Sequence, residues 1–81
     1  MLCNEEIEQL FKDIDGVFFV NVEGDGYQYQ LTVVADLFID MPKVKRQQWV
    51  YAQLKDYITT GALHALSMKT LTKEEWGQQH G

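Results

Sequence analysis

Two strand-forming runs meet across Gly24-Asp25-Gly26, and no other feature of the chain constrains its fold as much. The first run, Val17-Phe18-Phe19-Val20-Asn21-Val22-Glu23, is rich in β-branched and aromatic residues. The second spans Tyr27 to Val34 and alternates Tyr29, Leu31 and Val33 against Gln28, Gln30 and Thr32. That alternation is the mark of a half-buried antiparallel strand. Asp-Gly tolerates the positive φ that tight hairpin turns demand. The segment therefore predicts a hairpin with one buried face. It does not predict a phosphate loop, because no helix starts behind the glycines to aim N–H groups at an anion.

Helices flank the hairpin. Asn4 is a suitable N-cap, and Glu5 and Glu6 follow in the first turn, where the helix dipole favours anions. Ile7, Leu10, Phe11 and Ile14 then share one helical face, and Asp15-Gly16 ends the run. After a connector from Ala35 to Met41, Pro42 suits the first turn of a second helix. Val44, Gln47, Tyr51, Leu54 and Ile58 keep helical spacing and read as its inward face. Gly61 is the expected left-handed stop. Ala65 to Thr70 forms a third strand, and Thr72-Lys73-Glu74-Glu75 matches a capping box ahead of a short turn carrying Trp76. The order is α-β-β-α-β. A strand reached through a helical crossover runs parallel to a hairpin strand, with right-handed connection. The fold class is α+β: two layers, with the helices on one face of a small three-stranded mixed sheet.

The chain of 81 residues forms one domain, 1–81, with a thin core and little room for an internal substrate cavity. No apolar run approaches the roughly 20 residues that span a bilayer, so no membrane association is expected. The N-terminus lacks the order of a signal peptide, and a lone Cys3 excludes an intrachain disulfide; both fit a cytoplasmic location. A net charge of −5 argues against a surface that binds nucleic acid as a whole. No Ser-His-acid order, zinc-type Cys/His spacing or paired-carboxylate motif is present, and the chain is too poor in His and Cys to suggest an enzyme.

A few residues remain as candidates. Lys43, Lys45 and Arg46, with Lys55 and Lys69, are the basic concentration of an acidic chain. They read either as a patch for nucleic acid or an acidic partner, or as a solvated helix face. Trp49 falls off the expected apolar stripe, as a contact anchor or packed against a loop. Cys3, ahead of the first helix, reads as inert or as a reactive or metal-ligating thiol, and His80 as solvated tail. His64, where the second helix hands over to the third strand, reads either as a packed core histidine or as a metal ligand. One imidazole cannot hold a metal alone, so the ligand reading requires a partner.

Taken in order, several stretches resemble the BolA family, and within it the short bacterial IbaG- or YrbA-like branch. They are Val20-Asn21-Val22-Glu23-Gly24-Asp25-Gly26, then Leu37-Phe38 and Met41, then Val44 to Tyr51 with Leu54, then Leu63-His64-Ala65-Leu66-Ser67, and Thr72 with Glu75-Trp76. The similarity covers nearly the whole chain. It implies an α-β-β-α-β fold akin to class II KH domains and a non-enzymatic role. Family members pair with monothiol glutaredoxins, share a [2Fe–2S] cluster completed by glutathione, and serve iron–sulfur or iron homeostasis. Some bacterial members are DNA-binding regulators of stress and acid response. The resemblance makes His64 the metal residue, and it leaves Lys43, Lys45, Arg46, Trp49 and Lys69 as partner- or nucleic-acid-binding candidates. It also implies that the isolated chain holds no cluster and is a monomer or weak homodimer.

Two positions depart from the family pattern. Gln28 stands where IbaG-like members often carry a second ligand histidine, just before the aromatic Tyr29, and an amide is a poor iron ligand. Asp40 replaces the family glycine that follows the connector phenylalanine, here Phe38.

Overall fold

The computed structural model describes residues 4–24, 28–61, 63 and 65–80. Cys3, the Asp25-Gly26 turn, Tyr27 and His64 lie outside the described residues. The elements are α1 (Asn4–Lys12), β1 (Val17–Gly24), β2 (Gln28–Ala35), a 3-10 turn (Asp36–Phe38), α2 (Lys43–Thr59), β3 (Ala65–Leu71) and α3 (Lys73–His80).

The strands pair as the hairpin and crossover require. β1 and β2 are antiparallel, β2 and β3 are parallel, and the sheet order is β1-β2-β3. A bulge at Phe18 shifts the register between Val17 and Phe19. On the edge of β1, the Val22 N–H donates to the Glu8 carboxylate at 3.1 Å, which blocks one of the backbone groups an edge strand offers to other chains.

Alternation puts Val20, Val22, Tyr29, Leu31 and Val33 on one sheet face, and all are buried. Ile7 and Phe11 of α1 and Val50 and Leu54 of α2 close over that face at 0% exposure. Complete burial of each such side chain contributes roughly 1.5–3 kcal/mol. Both long helices therefore share one face, as the element order implies. The chain end adds a third helix on the other face, where Trp76 stacks on Phe19 with centroids 4.8 Å apart. The segment expected to be a short turn and a polar tail is thus helical through His80. Its capping box is reciprocal: the Thr72 N–H donates to Glu75 Oε1 at 2.8 Å, and the Glu75 N–H donates to Thr72 Oγ1 at 3.2 Å.

The inward face of α2 differs from the expected stripe. Val44, Tyr51 and Ile58 are exposed, whereas Arg46, Val50 and Leu54 are buried, with Trp49 and Tyr57 packed beside them. Only Leu54 belongs to both sets. Both sides of this helix carry apolar residues at helical spacing, so periodicity alone could not choose between them. Trp49 decides it. Its ring lies 6.0 Å from Phe11 and 5.6 Å from Phe38, in tilted and edge-on contacts that add to simple burial.

The helix ends follow local chemistry. Pro42 is the N-cap of α2, and Gly61 takes φ 81° just past its end, donating its N–H to the Ile58 carbonyl at 3.2 Å. Asp40 takes φ 67° in the turn into α2. This is the left-handed region that glycine enters freely and that Asp tolerates better than most residues. The position thus retains a backbone conformation suited to glycine although the glycine is gone. Replacing Asp40 by valine is expected to lower unfolding free energy by about 1–2 kcal/mol, while Asp40→Gly leaves it equal or higher. Urea denaturation of the three proteins checks this.

Candidate functional site

Because β2 and β3 are parallel, both begin at one end of the sheet, where β1 ends. Gly24 pairs with Tyr29, Gln28 with Ala65, and Tyr29 with Leu66. Gly24 is required there by close approach: a Cβ would overlap the Gln28 carbonyl oxygen and lie 3.0 Å from Tyr29 Cα. Leu63 is buried, and its N–H donates to the Tyr57 carbonyl at 3.1 Å. Both chain neighbours of His64 are therefore anchored, Leu63 by the core and Ala65 by the sheet. An open cleft of about 680 Å³ lies at this end, lined among the described residues by Gly24, Gln28, Tyr29, Ala65, Leu66, Ser67 and two neighbours.

The described lining contains no imidazole or thiolate. Gln28 brings an amide to the end of the sheet where the family resemblance calls for a second ligand. Among the described residues no three His, Cys, Asp or Glu side chains converge. The described residues do not fit a ligand pair for a cluster, and of the residues in this stretch only His64 carries a good nitrogen donor.

The basic candidates do not form one patch. Arg46 is 7% exposed, contrary to its expected place on a basic surface. Its Nε donates to the Met41 carbonyl at 2.8 Å, and its Nη1 donates to the Thr70 carbonyl at 3.1 Å and to Glu75 at 2.8 Å. Its guanidinium carbon also lies 5.8 Å from the Phe38 ring centroid. A fork so occupied is a structural clamp rather than a phosphate contact. Trp49 is half-buried against the core, which fits the packed alternative of its two readings rather than the exposed anchor. Lys43 and Lys45 are both exposed, but about 200° apart around the helix. Lys69 lies on the opposite sheet face, over a hollow it shares with Glu23, Thr32 and Trp76.

Sequence reasoning missed the partnership of Arg46 with Glu75. The capping box identified Glu75, yet nothing local shows that a residue 29 positions away binds the same carboxylate. The Thr72 backbone N–H, then the Arg46 guanidinium, hold the Glu75 carboxyl below its ordinary value of 4.5. A depressed carboxylate pKa gives stability that is present above the unfolded-state value and is lost as pH falls through the folded one.

The profile of the BolA family, described as BolA-like protein, matches residues 18–75. The chain is 39% identical over 75 residues to acid stress protein IbaG of Escherichia coli K12, covering 93% of this chain and 89% of the relative. It is 39% identical over 72 residues to an uncharacterized protein of Haemophilus influenzae, covering 89% and 85%. The fold superimposes on a BolA homologue from Coxiella burnetii with a TM-score of 0.80 at 27% identity, covering 95% of this chain and 99% of the other. It also matches the solution structure of yeast Fra2 with a TM-score of 0.73 at 26% identity, covering 95% and 86%. The chain belongs to the BolA family. Within that family it falls in the IbaG-like branch.

Arg46→Ala is expected to cost about 2–4 kcal/mol of stability, because two carbonyls and a carboxylate lose their donor together. Arg46→Lys should recover less than half of that, since an ammonium cannot reproduce the planar fork. In the same urea assay, wild type should exceed Glu75→Gln at pH 7, and the gap should close as pH falls below about 4.5.

Proposed function

We propose that this chain is a non-enzymatic adaptor that docks on a monothiol glutaredoxin and contributes His64 to a shared [2Fe–2S] cluster. BolA-like proteins are in general regulators rather than enzymes, and this family membership supports the reading. The observation that carries it is the register of the sheet. Gln28 pairs with Ala65, so the β1–β2 loop and the start of β3 share one end, and the buried Leu63 pins the chain just before His64. A small, anchored end with one imidazole suits a site whose remaining ligands come from a partner. Glutaredoxin cysteine and glutathione would supply thiolates, and imidazole in place of a thiolate raises a cluster's reduction potential. With Gln28 at the second position, this chain supplies one ligand where its relatives in the branch often carry two candidates.

A nucleic-acid role has less support. Its proposed contacts lose Arg46 to the interior and are split between faces for Lys43, Lys45 and Lys69. A flat dependence of DNA affinity on salt would remove it.

The ligand role is tested by mixing the chain with anaerobically reconstituted glutaredoxin and recording visible absorption and circular dichroism. Wild type should change both spectra relative to glutaredoxin alone, and His64→Ala should not. Identical spectra for the two would exclude His64 as a ligand. Gln28→His is expected to slow cluster loss several-fold by adding a nitrogen donor on the adjoining strand; an unchanged rate would show that position 28 does not reach the cluster.

A further inference from the structure

The outward face of α2 carries an apolar stripe that no other part of the described chain covers. Val44, Tyr51 and Ile58 are 58%, 45% and 40% exposed. They recur every seventh residue, so they line up along the helix at intervals of about 10.5 Å. Beside them, Tyr51, Ala52, Lys55, Ile58 and Thr59 form a shallow, mostly apolar groove of about 390 Å³. Seven-residue spacing of exposed apolar side chains is the spacing with which one helix receives another. None of the three is used by the core, so burial within the chain does not explain them.

Charge identifies the occupant. Turning about 100° per residue from the Tyr51 direction, the arc from Lys43 to Lys45, exposed except at Leu54, holds Lys43, Lys55 and Lys45 as its only charged residues. All three are basic, in a chain of net charge −5. The single acid of this helix, Asp56, lies about 140° from Tyr51 and so about 20° beyond Lys45. A second copy of the chain would gather six lysines in one interface, and like charges there oppose association. An apolar strip whose rim carries three lysines against one aspartate complements an apolar strip with an acidic rim.

We propose that this face docks an amphipathic helix of another protein, with apolar residues against Val44, Tyr51 and Ile58 and carboxylates against Lys43 and Lys55. The proposal does not depend on the cluster reading.

The test uses the full chain, labelled with ¹⁵N, and two synthetic peptides of about three heptads each. Both carry leucines at heptad positions a and d; one has glutamates at e and g, the other lysines. The glutamate peptide should shift amides within Lys43–Thr59 and bind at least about tenfold more tightly than the lysine peptide. Tyr51→Ala and Lys55→Glu should each weaken it by about tenfold without lowering the melting temperature, since both side chains are exposed. Equal binding of the two peptides, or shifts confined to other elements, would overturn the proposal. So would a dimer of the free chain that Tyr51→Ala dissolves, or binding to phosphatidylserine vesicles that needs Tyr51 when the glutamate peptide does not bind.

Discussion

One guanidinium ties together the parts of this fold that the sheet alone does not hold. Arg46 lies in the first turns of α2 and reaches the connector at Met41, the last residues of β3 at Thr70 and the capping box of α3 at Glu75. Each contact uses a donor of the same planar group, so moving any one element disturbs the others. The arrangement follows from the parallel crossover. A chain that leaves β2, returns through α2 and re-enters as β3 brings the start of the helix and the end of the strand to one place. Arg46 fills that place, against the Phe38 ring. Glu75 then serves twice, capping its own helix and neutralising the buried charge.

The opposite end of the crossover is built differently. There β1 ends and β2 and β3 begin side by side, braced by Gly24 against Tyr29 and by Leu63 in the core. The crossover is thus clamped by Arg46 at one end and braced by Gly24 and Leu63 at the other. A partner can complete a site at the end of a sheet, whereas a core this thin cannot enclose one.

Much of the fold was legible because its signals are local. The hairpin rests on period-two alternation in β2 and on turn-forming residues, and both act over a few positions. The capping box at Thr72 and Glu75 and the stop at Gly61 are likewise written within four residues. The face of α2 was not legible. Val44, Tyr51 and Ile58 compete with Trp49, Val50 and Tyr57 on equal terms until Phe11 and Phe38 arrive from other elements. Arg46 was misread for the same reason: a basic residue beside two lysines looks like surface when its partners lie 24 and 29 residues away. The candidate site was legible in part. The family resemblance singled out His64 and the substitution at Gln28, while the pairing of Gln28 with Ala65 came only from the sheet register.

By itself the sequence determined the α-β-β-α-β order, the stop at Gly61, the capping box at Thr72 and Glu75, and the buried face of the hairpin, because these depend on backbone preferences and spacing along one segment. The tertiary structure alone decided which side of α2 faces inward, that Arg46 is a clamp, that α3 covers the second sheet face through Trp76 and Phe19, and that an apolar, basic-rimmed stripe is left outside. Those outcomes depend on which distant side chains compete for the same volume, and no local pattern records that competition.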